Sequence, residues 1–170
     1  GLEAEMKIGI VYVSKTGNTE VAAEFIEDGI LGKYPFIQVR TMDIREGEVD
    51  VEFLKECEAV IFGSPVYFTS MSWELKRWFD NSFRVNLQGK LGAAFVTAQS
   101  LTGGTDTAIM EMIRHMLVKG MLVYSGMSGK NRNHFQIGAM GMGKNLEASR
   151  EELEAFGADV AEKTLEISRK

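Results

Sequence analysis

The chain has a single cysteine, Cys57, and two histidines, His115 and His134, among 170 residues. One cysteine excludes a disulfide within the chain, a CxxC redox pair and a cysteine-ligated iron–sulfur cluster. Two histidines without HExxH spacing argue against a dedicated zinc site, so no metal is expected. Any redox chemistry must then come from a bound organic cofactor. No apolar run approaches the length of a membrane span, and the acidic start, GLEAEM, lacks the charged and apolar regions of a signal peptide, so a cytoplasmic protein is expected. A clustered cationic face is also missing. The one cation-rich patch, Lys130 to Arg132, is short and lies in a glycine-rich stretch, and the net charge is -5, which argues against nucleic acid as the main partner. No break in composition suggests a second unit, and one domain over residues 1–170 is expected.

What is present is concentrated in Lys7 to Ile30. Ile8, Ile10, Val11, Tyr12 and Val13 form a β-branched and aromatic run, as expected of a buried parallel strand. From Thr19 the period changes. Val21, Ala22, Phe25, Ile26 and Ile30 recur every three or four residues between Glu20, Glu24, Glu27 and Asp28, the pattern of an amphipathic helix. The strand hands over to the helix through Ser14, Lys15, Thr16, Gly17, Asn18 and Thr19. A helix N-terminus has unpartnered N–H groups and about half a positive charge, so it favours an anion, and phosphate fits well. Gly17 lets backbone approach that anion, while Ser14, Thr16 and Thr19 carry hydroxyl donors. A polar turn capped by Asn18 or Thr19 is the plainer alternative.

Further along, Phe36 to Asp43 reads as a second strand and Val51 to Lys55 as a short helix. Ala59 to Phe62 is a third strand, which stops where Gly63 and Pro65 enforce a turn, and Trp73 to Phe79 resumes a helical pattern. Leu91 to Thr97 is the fourth strand. It opens into Ala98 to Asp106, and Thr107 to Val118 is helical. Met121 to Tyr124 makes a fifth strand. Ser125 to Asn145 has no clear period and is unusually long for an unstructured connection. Its glycines Gly138, Gly141 and Gly143 suit a backbone that must lie flat against something, and Glu147 to Lys170 is a closing helix. Met110, Met112, Met116 and Met121 read as core by default, though Met also suits adaptable subunit contacts.

Five strands alternating with helices predict an α/β fold, a parallel sheet covered on both faces, with right-handed crossovers. Ligands in such sheets sit outside the carboxyl ends of the strands at the switch point of strand order. The loops after strands one, three and four would meet there.

With those loops in view the chain resembles the flavodoxin-like superfamily over most of its length. VYVSKTGNTEVAAEFI is similar to the flavodoxin phosphate loop. GSPVYFTSMSWELKRWFD and AQSLTGGTD resemble the corresponding loops of the flavodoxin-like NAD(P)H:quinone reductases, including the WrbA-like type. The resemblance implies a three-layer αβα fold with five parallel strands in the order 2-1-3-4-5 and FMN as cofactor. Its phosphate would lie on Ser14 to Thr19. Its ring would lie between Ser64, Pro65, Val66, Tyr67 and Phe68 on one side and Thr97, Ala98, Gln99, Ser100, Leu101, Thr102, Gly103 and Gly104 on the other. Tyr67 and Phe68 offer stacking surface; core packing is the alternative for both, and is the expectation for Trp73.

The resemblance also implies a late glycine-rich segment lining the flavin pocket, often at a subunit contact, for which His134 and Phe135 are candidates beside a plain surface role. A homodimer or homotetramer is implied in the same way. Two departures stand out: the reductases often carry a His before the paired glycines or before the GM of the fifth strand, and Thr102 and Lys119 stand there instead. Three functions follow: an FMN-dependent oxidoreductase passing electrons from NAD(P)H to a quinone or other small acceptor, a flavodoxin-type carrier of single electrons between proteins, and a flavin-free scaffold. The modest charge and long late loop favour the enzyme, and no catalytic acid or base is assigned.

Overall fold

The computed structural model describes residues 6–126 and 136–168. In chain order its elements are β1 (Lys7–Tyr12), α1 (Asn18–Lys33), β2 (Gln38–Asp43), α2 (Val51–Glu56), β3 (Ala59–Tyr67), β4 (Ser70–Met71), α3 (Trp73–Asp80), β5 (Leu91–Ala98), α4 (Thr105–Val118), β6 (Leu122–Val123), β7 (Ala139–Met142) and α5 (Arg150–Ser168). A 3-10 turn at Leu146–Ser149 leads into α5.

Alternation in β1 assigns the two faces. Ile8, Ile10 and Tyr12 pack with Ala22, Phe25 and Ile26 of α1 and Phe156 and Val160 of α5. Val11 and Val13 point the other way, against Phe53 and Leu54 of α2, Leu75 and Phe79 of α3 and Met112 and Met116 of α4. A strand with apolar residues on both faces must be covered twice, and the three layers result.

The sheet corrects the expected strand count. Among the described residues it has seven strands, with the path β2-β1-β3-β5-β6, β4 paired antiparallel to β3 and β7 paired parallel to β5. β6 and β7 share one edge of β5: Leu91 and Gly92 face β6, and Phe95 to Ala98 face β7. The outermost strand position is therefore filled by two short pieces. The Gly138 N–H, just before β7, donates to the carbonyl of Ser125, just after β6, at 2.7 Å. Part of the expected aperiodic stretch is thus the strand β7. Four residues alternating Met with Ala or Gly carry too weak a pattern to be read. Lys130 to Arg132, His134 and Phe135 lie outside the described residues.

β3 also runs further than expected. It passes through Gly63, Ser64 and Pro65 to Tyr67, and the chain turns at Phe68 and Thr69 instead. Gly63 presents its carbonyl to the Val13 N–H on the β1 side, and Pro65 shares its parity. By that point β1 has ended, so the missing proline N–H breaks no ladder bond. Gly63 is required by packing, because a Cβ there would enter the Phe95 ring.

Candidate functional site

Three loops and one strand end converge at the carboxyl edge of the sheet. The first is the β1–α1 hand-over. Gly17 takes a left-handed conformation, φ 97°, and α1 starts at Asn18 with no side-chain cap. The Ser14 hydroxyl accepts from the Glu20 N–H at 3.2 Å, and the Gly17 carbonyl accepts from the Val21 N–H. No acceptor among the described residues takes the N–H of Asn18 or Thr19. Thr19 is buried, and its hydroxyl lies 2.8 Å from that of Thr97 on β5, which ties this loop to the third one.

The loop is braced by charge. Glu74, near the start of α3, meets Lys15 at 3.0 Å and Arg45 at 3.1 Å and accepts from the Ser72 hydroxyl at 2.7 Å. Arg45 also donates to the Ser14 carbonyl, and the Lys15 ammonium stands over the Tyr67 ring. Burial would raise the Glu74 carboxyl, but the Ser72 hydroxyl and the two cations outweigh it and hold it below the usual carboxylate range. Neither Glu74 nor Arg45 stands out in the sequence, since a charge on an exposed helix or turn usually marks a solvated face. The position of Glu74 just after the Ser72 N-cap is the one available signal.

The second loop is the β3–β4 hairpin. Val66 pairs with Met71 and Tyr67 with Ser70, leaving a two-residue turn in which Phe68 and Thr69 both have positive φ, 48° and 66°. Such turns favour Asn-Gly; a phenylalanine and a β-branched threonine there store strain, on the order of 1 kcal/mol or more each. Phe68 stands wholly in solvent, and Tyr67 is 40% exposed. Trp73 is exposed as well, at 62%, so its expected core role is corrected. As the first residue of α3 it points away from the sheet, and Trp78 packs on Phe62 and Phe79 instead.

Ser64 is fully buried, its hydroxyl donating to the Pro65 carbonyl and accepting from the Ser72 N–H, so it holds the base of the hairpin. From α4, Glu111 accepts from the Ser70 hydroxyl at 2.8 Å and the Met71 N–H at 3.0 Å. This second anchor was also missed, for the same reason as Glu74.

The third loop follows β5. Thr97 and Ala98 are buried, Gln99, Ser100, Leu101 and Thr102 are exposed, and the Gly103 N–H closes a turn onto the Ser100 carbonyl. Gly104, φ 85°, precedes α4, which like α1 has no side-chain cap. A Cβ on Gly104 would strike Thr69, so the second and third loops are in contact. At the end of β7 a Cβ on Gly143 would meet the Gln99 amide and would lie 2.8 Å from Asn18 Nδ2. The late glycines do lie flat against neighbours, Gly138 on the Ala94 carbonyl and Gly141 on Leu146.

Lys119, by contrast, caps the far end of α4 and donates to Ser82, remote from these loops. Its identity has no bearing on the crevice. Met112, Met116 and Met121 are buried and Met110 is partly exposed. Cys57 is buried, and burial pushes its thiol up to about 12, so it is no nucleophile. Among the described residues no helix is long and apolar enough to cross a membrane.

The arrangement offers two uncapped helix N-termini, free backbone N–H groups and hydroxyls around one crevice at the switch between β1 and β3. That is chemistry for a phosphate and a flat ring. Residues 6–158 match the family described as Flavodoxin-like fold. A flavodoxin of Clostridium saccharobutylicum is 45% identical over 95% of this chain and 99% of its own length. An NAD(P)H dehydrogenase (quinone) of Archaeoglobus fulgidus is 29% identical over 69% of the chain and 74% of its own. Among solved structures, a flavodoxin, WrbA-like protein from Agrobacterium tumefaciens superposes with a TM-score of 0.78 at 22% identity, covering 95% of this chain and 98% of that one. The chain belongs to the flavodoxin-like fold family.

Proposed function

We propose that this chain binds FMN as one domain and carries electrons through it. The phosphate rests on Ser14 to Thr19, where the α1 N-terminus and the N–H groups of Asn18 and Thr19 receive it. Ser64 to Phe68 and Thr97 to Gly104 flank the ring. The observation that carries the reading is the opening of both α1 and α4 on a left-handed glycine with no side-chain cap. Residues that normally cap are absent at the two ends facing one crevice, which leaves those ends to a ligand. FMN supplies the redox chemistry when bound. The chain's own residues position it, keep its phosphate paired and shape access to its ring.

Carriage of electrons between proteins has the better support. Phe68 and Leu101 stand exposed on the loops around the crevice and Trp73 at the start of α3, an apolar rim suited to a transiently docked redox partner. The flavodoxin relative matches 95% of the chain, whereas the quinone dehydrogenase matches 69% of it. The second reading, NAD(P)H:quinone oxidoreduction, is favoured by the flat glycine-rich end of β7 against Gln99 and Asn18. Assembly into a homodimer or homotetramer rests on resemblance, and light scattering tests it.

Two measurements on the FMN-loaded chain separate the readings. A carrier has two well-separated one-electron potentials and oxidises NADH and NADPH sluggishly. An oxidoreductase turns over NADH or NADPH with a quinone at rates of about 10 per second or more.

A further inference from the structure

A cavity of about 580 Å³ opens between the last turns of α3 and α4. Both helices start at the carboxyl edge of the sheet, so this cavity lies at the opposite edge from the crevice. Its inner walls are apolar: Phe79, Val85 and Leu87 are buried. At its lip Phe83 and Val118 are 81% and 88% exposed.

The polar lining is unevenly charged. Among the described residues Asp80 is the one carboxylate that lines it, and Lys76 occupies Asp80 at 2.8 Å. His115 donates from Nδ1 to the Glu111 carbonyl at 2.7 Å, so its Nε2 accepts from Lys76 at 3.1 Å. Arg114 and Lys119 remain. Arg114 is exposed with no partner among the described residues. Lys119 donates to the Ser82 carbonyl and hydroxyl at 2.8 and 2.9 Å, both neutral groups. Burial lowers its pKa, and no carboxylate opposes that shift.

Cations near helix C-termini offset the macrodipole, which accounts for their presence in the sequence. It accounts neither for the concave apolar walls nor for two large apolar side chains held in water at the mouth. In a chain of net charge -5, two uncompensated cations over an apolar hollow form a local inversion. We propose that this cavity binds a small organic anion with a flat apolar body, its carboxylate, sulfonate or phosphate held by Arg114 and Lys119 and its body lying against Phe79 and Phe83. The volume is that of small-molecule clefts, about 300–1,000 Å³, rather than of a flat protein interface. The site is independent of FMN and of the proposed function.

The probe is 2-naphthoate, titrated calorimetrically into the full, FMN-supplemented chain, with 2-naphthamide as the neutral isostere. Naphthoate is expected to saturate one site, shifting the backbone amide resonances of Ser82–Leu87 and Arg114–Lys119. The amide should bind about tenfold more weakly, as should naphthoate to Arg114→Gln, because one charge-assisted contact is lost. Phe83→Ser, at an exposed position that the fold does not need, should weaken it as well. Equal affinity for the amide, an unchanged Kd in Arg114→Gln, or shifts confined to the crevice loops would overturn the proposal. So would a concentration-dependent rise in mass that Phe83→Ser abolishes, since a second copy of the chain would then be the occupant.

Discussion

Thr69 and Gly104 meet backbone to backbone: a Cβ on Gly104 would lie 2.6 Å from the Thr69 Cα. Each residue has a positive φ, 66° and 85°, so two conformations that ordinary side chains avoid are locked against one another. The turn that carries Phe68 and the turn that opens α4 are therefore one unit. Gly104→Ala adds a strained φ to a contact with backbone that cannot yield, and a loss of about 2–4 kcal/mol is expected in urea denaturation. Gly47→Ala, where nothing stands within 4 Å, is the control and should change stability by about 0.5 kcal/mol or less.

The same turn predicts a gain. Replacing Phe68 and Thr69 together by Asn and Gly supplies the residues that tolerate both positive φ values. The apoprotein should become more stable by about 1–3 kcal/mol. Thermal unfolding checks this; an unchanged or lower midpoint removes the claim of strain.

Glu111 reaches from α4 to the Ser70 hydroxyl and the Met71 N–H. Glu111→Ala leaves both without their acceptor and should cost about 1–3 kcal/mol. The local signature is faster hydrogen exchange at Met71. Exchange that stays slow there would assign the hairpin's order to the Gly104 contact alone.

Much of this was readable from residue order. The β1–α1 hand-over was legible because a period of two changes to one of 3.6 across five polar residues and a glycine, and both signals are local. The extent of β3 was not. Whether Pro65 ends a strand depends on where β1 stops, a fact about the neighbouring strand. Trp73 misled for a related reason: a large aromatic beside a helix start reads as core, yet the helix turns Leu75 and Phe79 inward and Trp73 outward. Glu74 and Glu111 were missed because the partners that give them their bracing role, Lys15 and Arg45 for Glu74 and Ser70 for Glu111, lie tens of residues away in sequence. The splitting of the edge strand into β6 and β7 requires knowing that both meet β5.

Glu74 sets a pH dependence. Its carboxyl is held below its ordinary value of 4.5, so the stability it contributes is fully present above that value and is lost as pH falls through the lower folded one. Glu74→Gln should remove about 1–2 kcal/mol at neutral pH and flatten this acid limb. Urea midpoints for both forms between neutrality and strong acid test it. Parallel curves would mean that Lys15 and Arg45 are held by something else.

The central claim is that backbone and hydroxyl groups from Ser14 to Thr19 hold a phosphate. The most direct measurement is a fluorescence titration of the apoprotein with FMN and, separately, with riboflavin, which lacks only that phosphate. FMN should bind one to one, with riboflavin about 100-fold weaker or more, the cost of two charge-assisted hydrogen bonds. No saturable FMN binding, or riboflavin bound as tightly as FMN, would contradict it.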